Sequence, residues 1–221
     1  MELYHLLNRG TDKRNLVMDN LDRRRFVRNL YEMNDKRPVD HIDRIPDIRR
    51  RVNTKRRQER EPFVQIHAWC LMNNHYHLLV SEIAEGGVSK FLKKLNMGYS
   101  KYFNARHERS GTLFQGKTKK ILVEREAHFM WILHYIHFNP LDYFKQAGNW
   151  RNQCLTKPER AIEWLKQYHW SSFRDYAGEE TFPEIVTGSF MFENRAKHVR
   201  EAYRYLSSLG SATPLPLSDF E

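Results

Sequence analysis

Cysteine is almost missing from this 221-residue chain: Cys70 and Cys154 stand far apart and form no CxxC pattern. That excludes a disulfide framework and a cysteine-built metal site, and it fits a reducing, cytoplasmic setting. Long apolar runs are missing as well. No stretch of about 18 apolar residues occurs and no charged-then-apolar leader opens the chain, so the expectation is a protein that neither spans a membrane nor is exported. Repeats and low-complexity tracts are absent too. Negative charge is in short supply, with 27 Asp and Glu against 37 Lys and Arg, a net of +10. Such a balance suits a polyanionic partner such as nucleic acid. The length fits one domain, or one domain with a sizeable appendage, around a real core.

Residues 2–8 read as a strand that stops at Arg9-Gly10, and Asp19 or Asn20 can cap a helix whose apolar positions are Phe26, Val27, Leu30 and Tyr31. Across 36–60 the character changes: ten Lys or Arg face four acids, a local net of +6. This connection is expected to be an insertion rather than core. Arg49, Arg50, Arg51, Lys55, Arg56 and Arg57 could reach a phosphate backbone, or simply form a solvated loop. Residues 63–71 and 75–80 predict a hairpin turned by Asn73-Asn74. After Gly86-Gly87 comes an amphipathic helix with Val88, Phe91, Leu92, Leu95, Tyr99, Tyr102 and Phe103 on its apolar stripe. A strand over 113–123 carries Lys117, Lys119 and Lys120. A helix follows from Glu124 to Pro140, and a last one near 192–207.

Strand, helix, hairpin, helix, strand and helix in that order predict an α+β fold. On the second arm of the hairpin, His75 and His77 project from one face, roughly 7 Å apart, and could share a divalent cation. Tyr76, between them, points to the opposite face and into the core. On the helix ending at Pro140, Trp131, Tyr135 and Asn139 lie along one side, about 100° from the ridge of Ile132, Leu133 and Ile136, which offers Tyr135 to something outside the core. If that helix packs beside the histidine strand, Asn139 can add an oxygen ligand; His137, His134 and His128 compete for that role. Two nitrogens, one amide oxygen and open positions suit Mg²⁺ or Mn²⁺. The chemistry within reach is phosphodiester transesterification, with Tyr135 attacking phosphorus and keeping the energy of the broken bond in a phosphotyrosine.

These residues resemble the single-tyrosine HUH transposases, and most of all the REP-associated tyrosine transposases. The resemblance rests on Tyr4-His5, Asn8-Arg9-Gly10, the run Cys70 to Leu79, Gly111 to Lys117, Tyr135-Ile136-His137-Phe138-Asn139-Pro140 and Tyr168 to Phe173. It covers about residues 3–178. It implies a ferredoxin-like or RRM-like antiparallel sheet with helices packed on one face, forming a transposase domain over 1–145. A C-terminal helical extension over 146–221 would pack on it. It also implies action on single-stranded DNA near a hairpin, a 5′-phosphotyrosine at Tyr135, His75 and His77 as ligands, and Asn139 as the polar ligand one turn on. Arg9, Lys117, Lys119 and Lys120 join the basic arm as candidate DNA contacts. The expected protein is nucleoid-associated in a prokaryote, with a monomer favoured over a homodimer. The alternative is a domesticated, non-catalytic single-strand-binding protein on the same fold. Two features depart from the resemblance: the 35–61 insertion is longer and more basic, and residues after 178 have no counterpart.

Overall fold

The fold is that of a computed structural model, which describes residues 2–37, 60–124, 126–151, 154–179, 181–187 and 195–208, without the side chains of 126–130 and 195–196. Four antiparallel strands form one sheet: β1 (Leu3–Arg9), β2 (Val64–Leu71), β3 (His75–Glu82) and β4 (Lys119–Leu122), in the order β2-β3-β1-β4. The helices are α1 (Asn20–Glu32), α2 (Gly87–Arg106), α3 (Glu126–Phe138), α4 (Pro158–Gln167), α5 (Phe173–Tyr176) and α6 (Arg195–Ser208). The α+β antiparallel class expected from the sequence is the one observed. The fourth strand is shorter than expected. Phe114 makes only an isolated bridge to Gly10, and Gly116 at φ +62 turns the chain before the ladder resumes at Lys119.

Strand alternation sorts the hairpin cleanly. Register pairs Leu7 with His77 and Arg9 with His75 across β1 and β3, so odd-numbered residues of both strands share one face. On the other face Tyr76 is fully buried against Phe26, and its hydroxyl donates to Asn96 Oδ1 at 2.9 Å. That face is covered by α1 and α2. Asp19 caps α1 by accepting from the amides of Leu21 and Asp22. The stripe Val88, Phe91, Leu92, Leu95, Tyr99 and Phe103 of α2 is buried as its periodicity predicts.

One detail departs from the expectation of helices on a single face: α3 packs on β2 and β3 from the side where the histidines lie. Its far side is covered in turn, with Trp131 and His134 against Tyr205 of α6 and His137 against Phe173 and Tyr176 of α5. Every residue from Trp131 to Phe138 is buried. A helix apolar on all sides is stable only when sandwiched. Tyr135 is therefore not offered outward but enclosed, at 1% exposure.

The aromatic segment after 168 closes the sheet. Leu71 N–H donates to the Trp170 carbonyl, Ser172 N–H to that of Trp69 and Thr187 N–H to that of Ile66, each at 2.9–3.0 Å, so this stretch covers the free edge of β2. Its side chains reinforce the cover, as the hydroxyls of Tyr168 and Tyr176 donate to the carbonyls of Leu71 and His67. The basic stretch at 38–59 and the tail from 209 lie outside the described residues. Among the described residues no helix is long and apolar enough to cross a membrane.

Candidate active site

His75 and His77 stand on β3 with ring centroids 5.0 Å apart. The Nδ1–H of His75 donates to Asn74 Oδ1 at 2.7 Å, which leaves its Nε2 unprotonated. His77 shares a hydrogen bond of 3.0 Å between its Nδ1 and Nε2 of His5, a neighbour across the β1–β3 ladder that lies 72 residues away in sequence. If His77 donates, its Nε2 is left unprotonated; the opposite tautomer puts a proton there. A cation on Nε2 selects the first arrangement, with His5 as acceptor. Burial lowers the titration of all three rings: His75 to about 4, helped by the nearby Arg9 charge, His5 to about 3, and His77 well below its ordinary value. All are neutral at physiological pH, the state in which imidazole binds a metal.

Tyr135, carried by α3 of the same chain, stands edge-on to His77 at 5.8 Å between ring centroids and to His5 at 6.2 Å. Trp131 and Trp150 flank it at 6.4 and 6.0 Å. Asn139, one turn on, is buried and already engaged. Its Nδ2 donates to the Tyr135 carbonyl at 2.8 Å, and its Oδ1 accepts from Arg151 Nη2 at 3.2 Å. A ligand role for Asn139 thus requires its amide to exchange partners. The competing histidines point elsewhere: His137 bonds His198 and Ser172, and His134 lies beside Glu201 and stacks on His198. The side chain of His128 is outside the described residues.

The basic candidates divide. Leu7, Asn8, Arg9, Gln115, Lys117 and Lys119 line an open cleft of about 420 Å³. Register sets Leu7, Arg9 and Lys119 on the histidine face. Lys120 turns to the other face, where its Nζ donates to Ser89 Oγ of α2 at 3.1 Å. Arg49, Arg50, Arg51, Lys55, Arg56 and Arg57 lie outside the described residues. The sequence did not single out the pairing of His5 with His77 or the hold of Arg151 on Asn139. For His5 a signal existed, because an odd-numbered histidine on β1 shares a face with His77 once the strands pair.

Residues 47–139 match a family model described as transposase, IS200 like. Over that segment the chain is similar to the IS200-like transposases. The match covers less than half of the chain and includes His75, His77, Tyr135 and, at its last residue, Asn139. The IS200-like segment thus holds both halves of the site, while His5 and Arg151 come from outside it. A solved REP-associated tyrosine transposase bound to a REP hairpin aligns with 85% of this chain and 86% of its own, at 12% identity and a TM-score of 0.44. No curated protein sequence matches the chain.

Two neutral imidazoles, each with its Nδ1 tied to a neighbour, fit two coordination positions of a divalent cation. Among the described residues no group of three or more His, Cys, Asp or Glu is arranged around a metal position. Further ligands would be Asn139 after rearrangement, water, or oxygens of the substrate.

Proposed function

We propose that this protein is a divalent-metal-dependent endonuclease and strand transferase of transposase type, acting on single-stranded DNA beside a hairpin. The observation that carries the reading is Tyr135 standing edge-on to His77 within one chain, with both strand histidines held neutral. The similarity of residues 47–139 to IS200-like transposases supports it. His75 and His77 would hold Mg²⁺ or Mn²⁺, which withdraws charge from the non-bridging phosphate oxygens. The phenol of Tyr135 forms the new bond to phosphorus while the bond to the 3′ oxygen breaks, leaving a 5′-phosphotyrosine that the same or another 3′ hydroxyl can reverse. Arg9, Lys117 and Lys119 draw the phosphate backbone along the cleft toward the histidines. The short Tyr135–His77 separation supports catalysis in cis and a monomer. The many contacts of 168–187 with β2 support an extension that completes the same domain, and a basic protein of this chemistry belongs with the nucleoid in the cytoplasm.

The test is incubation of the protein with Mn²⁺ and hairpin-bearing single-stranded DNA, followed by denaturation. A covalent adduct is expected, and it should vanish in Tyr135→Phe; an adduct that persists in that variant removes Tyr135 from the reaction. One observation favours a second reading, a non-catalytic single-strand-binding protein. Tyr135 is 1% exposed, so substrate must open a path to it. Salt-sensitive binding with no adduct over a broad pool of hairpins would select that reading.

A further inference from the structure

Beyond the histidines and the tyrosine, the site holds a guanidinium that no motif indicated. After α3 the chain turns through Asn139–Tyr143 and returns at Trp150-Arg151. Asp142 clamps the returning arginine: both of its carboxylate oxygens accept from Arg151, one of them at 2.9 Å from Nη2, and Oδ1 also accepts from Trp150 Nε1 at 2.7 Å. The guanidinium lies over the Trp150 ring, 4.3 Å from its centroid. From there it donates at 3.2 Å to Oδ1 of Asn139, whose own Nδ2 is bonded to the Tyr135 carbonyl, and the Trp150 ring beneath it packs 6.0 Å from the Tyr135 ring, which brings the guanidinium to the tyrosine. One cation, held by a carboxylate and an indole, thus stands beside the tyrosine.

We propose that Arg151 is a catalytic residue of the transfer, hydrogen-bonding the Tyr135 oxygen and stabilising the negative charge that oxygen bears when it attacks and when it leaves. The inference rests on the nucleophile reading given above. In the forward step the phenol gives its proton to water, its oxygen bonds to phosphorus, and the phosphorus–3′ oxygen bond breaks with its electron pair. The 3′ oxygen then takes a proton from water. Arg151 stays protonated throughout, as guanidinium does in proteins. A fixed donor aimed at the atom where charge develops needs little reorganisation as the reaction proceeds. Asp142 is a positioning residue, since it touches the arginine and not the reacting atoms. A purely structural arginine would staple the 139–151 turn to α3 and leave the reactivity of the phenol unchanged.

Rates of adduct formation on hairpin-bearing single-stranded DNA with Mn²⁺ separate these roles. Arg151→Gln should slow the step about 10²-fold, as loss of one such donor does, and Arg151→Lys should recover part of the loss. Installing 3,5-difluorotyrosine at 135 makes the phenol more acidic and should rescue Arg151→Gln at least about tenfold more than it accelerates the parent, since one pKa unit is a tenfold change in phenolate fraction. Equal acceleration in both backgrounds, or adduct formation by Arg151→Gln at the parent rate, would overturn the proposal. In metal-free protein the ¹⁹F resonance of 3-fluorotyrosine at 135 should move in both arginine variants, and an unmoved resonance would show that the guanidinium is not at the phenol. If the parent forms no adduct, or Tyr135→Phe still does, the nucleophile reading itself fails and the catalytic role of Arg151 with it. The ¹⁹F shift then still reports whether the contact exists.

Discussion

Helix α3 separates two clusters of histidines. On its sheet side His5 and His77 stand edge-on to Tyr135, with His75 against His77; on its other side His134, His137 and His198 meet between α3 and α6. Burial lowers the titration of all six rings, so both clusters are neutral at physiological pH. The difference is access. His75 is only partly buried and borders the side of the sheet that carries Arg9 and Lys119. The second cluster is closed by Phe138, Phe173, Tyr176 and Tyr205, with His137 Nε2 paired to Ser172 at 2.8 Å. The same residue type in the same charge state serves a candidate reaction on one side and a helix interface on the other. What separates the roles is whether a ring nitrogen faces a path for substrate.

The comparison predicts effects of unequal size. Replacing His75 and His77 together by Ala should abolish Mn²⁺-dependent cleavage while salt-sensitive DNA binding persists, because that binding comes from Lys and Arg. A double variant that still cleaves would show that the sheet-side cluster holds no essential cation. Next in size, His5→Phe should keep the ring packing against His77 yet remove its Nδ1 partner. Mn²⁺ affinity by titration calorimetry should then fall about 10–100-fold, the usual cost of losing an outer-shell partner; unchanged affinity would reduce His5 to packing.

On the far side the expected effect is on stability. His198→Ala leaves a cavity and strips His137 of one partner, and about 2–3 kcal/mol should be lost in a denaturant titration. Single-turnover cleavage below the melting temperature should stay within a few-fold of the parent. A collapse of cleavage there would mean that α6 sets the position of Tyr135. Acid should act on the same interface. Because the folded state holds His134, His137 and His198 neutral, stability is greatest above the unfolded-state pKa of about 6.5 and falls as pH drops below it. Glu201, beside His134, opposes part of that fall. Amide protection factors in α6, taken relative to the intrinsic exchange rate at each pH, should therefore fall from pH 7.5 to 5.5, and less so in His134→Leu; an equal fall in both proteins would count against the interface as the acid-sensitive element. The smallest effect concerns the cleft: Lys119→Ala should lower the salt slope of single-strand binding by about 0.7 per lost phosphate contact. Lys120→Ala should leave it unchanged, because Lys120 faces α2.

Much of the scaffold was legible because its signals are local. Asn73-Asn74 between two β-rich runs marked the hairpin, alternation put Tyr76 opposite the histidines, and a spacing of 3 and 4 residues marked the buried stripe of α2. The orientation of Tyr135 was not legible. A helix whose every side is apolar carries no label for which side meets the sheet, so periodicity suggested an outward tyrosine where the sheet histidines, Trp131 and Trp150 enclose it. His5 and Arg151 escaped for a related reason, since one is brought to His77 by strand register and the other returns to Tyr135 through a turn fastened by Asp142.

By itself, then, the sequence determined the order of strands and helices, the shared face of His75 and His77, and the presence of a tyrosine one turn before Asn139. Those are properties of neighbours along the chain, governed by the two-residue repeat of strands and the 3.6-residue repeat of helices. Tertiary structure alone decided that His5 pairs with His77, that Asn139 is held by Arg151, and that His134 and His137 pack against α6. These are contacts between residues far apart in sequence, chosen by how a sheet and a helix apolar on every side bury one another.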